Sequence, residues 1–98
     1  MEDQKMNITT SSGYTCSIDA DAMDDLEVFE SIRKMQDPSS SSFVQLGALF
    51  HAFQKLIGEE QDAALRQFLA EKEGKVRTSS YKREAEEVFS EAAKNKKK

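Results

Sequence analysis

Two short stretches of the chain alternate apolar and polar residues with a period of two, Met6-Asn7-Ile8-Thr9-Thr10 and Tyr14-Thr15-Cys16-Ser17-Ile18, with Ser11-Ser12-Gly13 between them. That period and the wealth of β-formers predict a β-hairpin. A two-residue loop at Ser12-Gly13 would set Ile8 opposite Ser17 and mix the faces. A three-residue loop, with Gly13 in a left-handed conformation, pairs Thr10 with Tyr14, Ile8 with Cys16 and Met6 with Ile18. The pattern selects the second register. Two strands alone are marginal in water, so the face with Met6, Ile8, Cys16 and Ile18 needs cover from helices or a second copy of the chain.

From there the period lengthens to that of a helix. Leu26, Phe29, Ile32 and Met35, widened by Val28, predict a first helix facing the core, capped by Asp19 or Asp21 and stopped by Asp37-Pro38. Ser39 to Ser42 form a polar connector whose last serines can cap the next helix. Phe43 to Ile57 carry Leu46, Leu49, Phe50, Phe53, Leu56 and Ile57 at i, i+3, i+4 and i+7 spacing, the mark of a central core helix. Gly58 is placed to end it. Glu59-Glu60-Gln61-Asp62 then opens a third helix through Ala64, Leu65, Phe68 and Leu69, which Gly74 ends. Thr78, Ser79 or Ser80 caps a fourth, with Tyr81, Ala85, Val88, Phe89 and Ala92 on one face. The expected fold is α+β, mostly α, an N-terminal two-stranded antiparallel hairpin followed by about four short amphipathic helices.

Ninety-eight residues suit a single domain spanning 1–98. Its expected parts are a flexible N-terminus at 1–5, the hairpin at 6–18, a helical part at 21–94 and a flexible basic tail at 95–98. Hydrophobic residues are 38% and charged residues 33% of the chain, too apolar for general disorder. The lone Cys16 excludes an internal disulfide and a cysteine-rich metal site, and fits a reducing compartment. With Glu2 and Asp3 in place of an apolar run, the N-terminus does not read as a signal peptide, and no stretch approaches a membrane span. Net charge is −4 but uneven. Residues 1–37 hold nine acids and three bases, while residues 75–98 hold four acids and eight bases. Unlike ends of this kind can serve self-association, although a solvated acidic face and a basic tail explain them as well.

None of the chemistry-bearing residues forms a catalytic pattern. His51 is the only histidine and has no second ligand at metal spacing. Asp24, Asp25, Glu27 and Glu30 suit the first turns of a helix, where the dipole favours negative charge. Gly47, Gly58 and Gly74 are too scattered for a phosphate-binding loop, and Ser39 to Ser42 lack a nucleophile's context. No catalytic, cofactor-binding or metal-binding residue is therefore assigned, and no cofactor is expected. A small nucleic-acid-binding regulator is the alternative, through Lys75, Arg77, Lys82, Arg83, Lys94 and the terminal lysines. It is disfavoured because Glu84, Glu86, Glu87 and Glu91 interleave the cations and no aromatic series stands ready to stack bases.

The order of elements carries a resemblance. The phrase from Ile8 to Asp19, the acidic helix Met23-Asp24-Asp25-Leu26-Glu27-Val28-Phe29-Glu30, and the core helix ending Leu56-Ile57-Gly58-Glu59-Glu60 come first. The segment Phe68 to Val76 and the last helix into Val88-Phe89 complete it. Over about Met6 to Lys94 the chain resembles the small tail assembly chaperones of long-tailed phages and prophages of Gram-positive bacteria. The resemblance implies a non-catalytic protein of the bacterial cytoplasm, absent from the mature virion, that escorts the tape-measure protein and other tail proteins. Self-association as a homo-oligomer is a further expectation, through the hairpin edge and the unlike charged ends. An apolar groove for such a client would be lined by Leu46, Leu49, Phe50 and Phe53 with Phe68 or Phe89, residues that equally suit the domain's own core.

Overall fold

The computed structural model describes residues 5–19, 21–22 and 24–96, with side chains to Lys94. The expected flexible segment at 1–4 and the last two lysines, Lys97 and Lys98, lie outside the described residues. Two strands, β1 (Lys5–Thr9) and β2 (Thr15–Asp19), precede three helices: α1 (Leu26–Met35), α2 (Ser42–Glu73) and α3 (Thr78–Lys96). Lys5 is thus strand rather than tail, and Asn95 and Lys96 continue the last helix.

The hairpin adopts the register its alternation demands. Ile8 pairs with Cys16 and Met6 with Ile18, the Thr10 N–H donates to the Tyr14 carbonyl at 2.8 Å, and Gly13 takes a φ of +103°. Ile8, Tyr14, Cys16 and Ile18 are buried beneath the sheet. The helices that cover them are α2, under β2, and α3, under β1.

Three helices form, not about four, because Gly58 kinks the chain without opening a loop. Its φ of 85° and ψ of 164° are non-helical, yet the helix resumes at once, so 42–57 and 59–73 are two arms of α2. That backbone region is essentially restricted to glycine. Space is not the constraint, since a Cβ at Gly58 would meet nothing within 4 Å. The other helix ends obey local chemistry. Ser41 caps α2 by accepting from the Val44 N–H at 3.2 Å, and Gly74, at φ 85°, ends it with its N–H on the Ala70 carbonyl. α3 starts at Thr78, with the Arg77 carbonyl accepting from the Tyr81 N–H, so Thr78, Ser79 and Ser80 lie inside the helix rather than capping it.

The first helix departs most from its reading. Asp25, not Asp19 or Asp21, is its cap, accepting from the Val28 N–H at 3.2 Å. The residues before it form turns instead, with Ala22 N–H on Asp19 and Asp24 N–H on Asp21. α1 packs along the first arm of α2, antiparallel to it: Glu27 meets Lys55 at 2.8 Å, and the Gln45 amide donates to the Asp37 carbonyl at 2.7 Å. With a single helix to lean on, α1 buries only Val28. Leu26 and Phe29, expected in the core, face solvent. The serine connector is ordered by Asp37, whose carboxylate accepts from the Ser39 N–H and hydroxyl, contacts that hold its pKa below the usual range.

Candidate protein-binding surface

The six residues assigned to a client groove all converge on one place, the interior. Leu49 and Phe53 are buried in the core, while Leu46, Phe50, Phe68 and Phe89 are half-buried against it. Phe50 and Phe53 each meet the Tyr81 ring edge-on, at 4.8 and 5.5 Å, and Phe68 lies 6.1 Å from the Tyr14 ring. Leu49 and Phe53 consequently offer nothing to a partner.

The apolar surface lies elsewhere. Leu26 is 70% exposed, Phe29 56%, Phe43 85%, Val44 44% and Val76 40%. Leu26 and Phe29 are three apart and share the outer face of α1, because Val28, at a different angle, takes the inner one. Phe43 and Val44 occupy the first turn of α2, at the end where α1 finishes. Fully burying a Phe or Leu side chain is worth roughly 1.5–3 kcal/mol, so these residues forgo a stabilisation the core residues receive.

Phe43, Leu46 and Phe50 follow one another down one side of the first arm of α2 at helical spacing. The row ends at a cavity of about 250 Å³ lined by Phe50, Gln54, Arg66, Val76, Thr78 and Tyr81. Its polar groups are already paired. The Tyr81 hydroxyl donates to Asp62 and accepts from the Gln54 amide at 3.2 Å. Arg66 bonds Asp62 at 2.9 Å and lies 5.3 Å from the centre of the Tyr81 ring. Burial pushes the Tyr81 pKa upward, which keeps the hydroxyl a donor. The arrangement suits an apolar side chain better than a charged ligand, since the cation in the wall is already neutralised.

The remaining candidates are dispersed. His51 is exposed beside Glu27, Glu30, Ser31 and Lys34, and among the described residues no group of three His, Cys, Asp or Glu could hold a metal ion. Asp25 serves as a cap, and Glu27 pairs with Lys55. On α3, Lys82 pairs with Glu86 at 3.1 Å and Lys94 with Glu91 at 3.2 Å, while Arg77 reaches Glu73 at 3.6 Å. A phosphate backbone would have to compete with those partners. No helix of the described residues is long and apolar enough to cross a membrane.

Sequence reasoning also missed a carboxylate. Glu84 is fully enclosed, its Oε2 accepting from the Ser12 hydroxyl at 2.5 Å and its Oε1 without a partner. The signal was present, because Tyr81, Glu84, Ala85 and Val88 fall on one helical face. Glu87, one turn on, accepts from the Ser11 N–H at 2.8 Å and the Ser11 hydroxyl at 2.7 Å. Together they clamp the hairpin turn to α3. Compared with protein families, with characterised proteins and with solved structures, the chain gives no match.

Proposed function

We propose that this chain is a tail assembly chaperone, a non-catalytic protein that binds the apolar stripe of the helical tape-measure protein during tail morphogenesis. The supporting observation is the exposure of Leu26, Phe29, Phe43 and Val44 on α1 and the start of α2. A helical client offers an apolar stripe with polar flanks. Leu26 and Phe29 match it, bordered by Glu27, Glu30 and Arg33 on the same exposed helix. The client surface proposed is therefore this outer face, with Phe50 of the original groove at its margin.

Co-expression with a tape-measure protein tests the reading. The chain should keep the client in the soluble fraction, and the double variant Phe29→Asp/Phe43→Asp should lose that effect while its thermal unfolding stays close to that of the parent. A client equally insoluble with and without the chain would defeat the proposal, as would a double variant that still protects it.

A further inference from the structure

The two outer edges of the hairpin are treated differently. At β2, the Ser17 N–H donates to the Gln61 side-chain carbonyl at 2.7 Å, and the Gln61 amide donates to the Ser17 carbonyl at 2.8 Å. One carboxamide thus imitates a residue of a third strand and occupies that edge at Ser17. The same amide donates to the Ile57 carbonyl at the kink, which fixes it in place.

At β1 the parity of the ladder turns the backbone groups of Asn7 and Thr9 outward. Thr10 and Tyr14 are a hydrogen-bonded pair, so Ile8–Cys16 and Met6–Ile18 are hydrogen-bonded pairs as well, and the residues between them point their backbone groups away from β2. Asn7 pairs with Ser17 and Thr9 with Thr15 in the register, which places their N–H and C=O groups on the outside. Ser17 confirms the parity, since its own outward groups are those that Gln61 takes. Among the described residues no hydrogen bond reaches the outward backbone groups of Asn7 or Thr9, and both residues are exposed.

We infer that β1 is a pairing edge for β1 of a second copy, antiparallel about a two-fold axis at Asn7, giving a continuous four-stranded sheet. Self-complementarity selects this occupant. With Asn7 opposite its counterpart, the two residues exchange both backbone hydrogen bonds. Met6 then faces Ile8 of the second copy on the apolar side, and Lys5 stands across from Thr9, so no like charges oppose each other. The Lys5–Asp19 ion pair of 2.9 Å would lie to either side of the axis. A slip of one residue would carry Met6 and Ile8 to the polar face, so the alternation excludes the odd registers. β1 carries neither a proline nor a bulge that would blunt the edge. This pairing uses the hairpin and is independent of the client surface on α1 and α2.

Sedimentation equilibrium of the full chain, joined to amide exchange, tests it. The parent should weigh as a dimer, with the Asn7 and Thr9 amides protected more strongly as concentration rises. Asn7→Lys and Asn7→Asp should each be monomeric, because like charges meet at the axis, and an equimolar mixture should restore the dimer. Asn7→Pro should also be monomeric, since it removes an edge donor that the hairpin itself does not use, and circular dichroism shows whether each variant keeps its fold. A parent that is monomeric throughout, or a dimer that persists in natively folded Asn7→Lys and Asn7→Pro, overturns the inference. So does protection of Asn7 by an added extended peptide while the chain alone stays monomeric.

Discussion

α1 and α3 are both amphipathic helices at the surface, yet one exposes a phenylalanine while the other encloses a glutamate. Phe29 is 56% exposed on α1, and Glu84 is 0% exposed on α3. The difference lies in what each helix is given to pack against. α1 meets one arm of α2, whereas α3 is gripped by α2 on one side and by the hairpin on the other. A helix with a single neighbour buries a narrow stripe and leaves its flanking apolar residues in water. A helix with two buries a wide arc, and a carboxylate within that arc goes inside with it.

The largest effect expected from this contrast comes from placing a charge on each helix. Val88→Asp puts an unpaired charge in a fully buried site and should cost more than about 4 kcal/mol in urea unfolding, enough to abolish folding of a small domain. Phe29→Asp should stay within about 0.5 kcal/mol of the parent. Equal costs would erase the distinction between the helices. Gln61→Ala should follow in size, losing about 1–3 kcal/mol as three hydrogen bonds to Ser17 and Ile57 disappear, with faster exchange of the Ser17 amide as its specific mark. Glu84→Met should act in the opposite direction, raising stability by about 1 kcal/mol, because it removes a buried oxygen that has no partner while Ser12 keeps the Thr10 hydroxyl at 3.0 Å.

Two smaller effects depend on pH. Burial, helped by the Glu84 charge, pushes the Cys16 thiol from an ordinary 9.0 up to about 11. The unfolded chain releases that proton first, so stability is complete below pH 9 and declines as pH rises from 9 towards 11. Urea midpoints across that range should fall for the parent and fall less for Cys16→Ala. Glu87 is displaced the other way, its carboxylate held below its ordinary 4.5 chiefly by the hydroxyl and N–H of Ser11. Its contribution is present above pH 4.5 and lost as pH drops through the lower folded value. Ser11→Ala should flatten that acid limb slightly, the smallest change of the series.

The hairpin was readable from the sequence down to its register, because one glycine and a period-two pattern admit a single loop length that keeps Ile8, Cys16 and Ile18 together. The ends of α2 were equally plain in Ser41, whose hydroxyl caps the first turn, and in Gly74, whose left-handed backbone closes the last. Gly58 was recognised as a break but not as a kink, since a positive φ in sequence signals the end of one helix and says nothing of whether the next begins at once. The outward turn of Leu26 and Phe29 could not be read at all. Period gives the face of a helix that is apolar, while the number of neighbours decides how much of that face is covered. The groove residues show the same limit, as Leu49 and Phe53 satisfied every pattern of a binding stripe and were used by the core.

The clamp on the hairpin turn has a consequence for the order of folding. Ser11 and Ser12 are held by Glu87 and Glu84, partners 76 and 72 residues further along the chain, whereas α1 and the first arm of α2 are neighbours in sequence. Closing so long a loop is slow compared with joining adjacent helices. On the ribosome, at about 5–20 residues per second, the first strands to emerge would wait seconds for the helix that secures them. The α1–α2 pair, with its exposed apolar face, would meanwhile be formed.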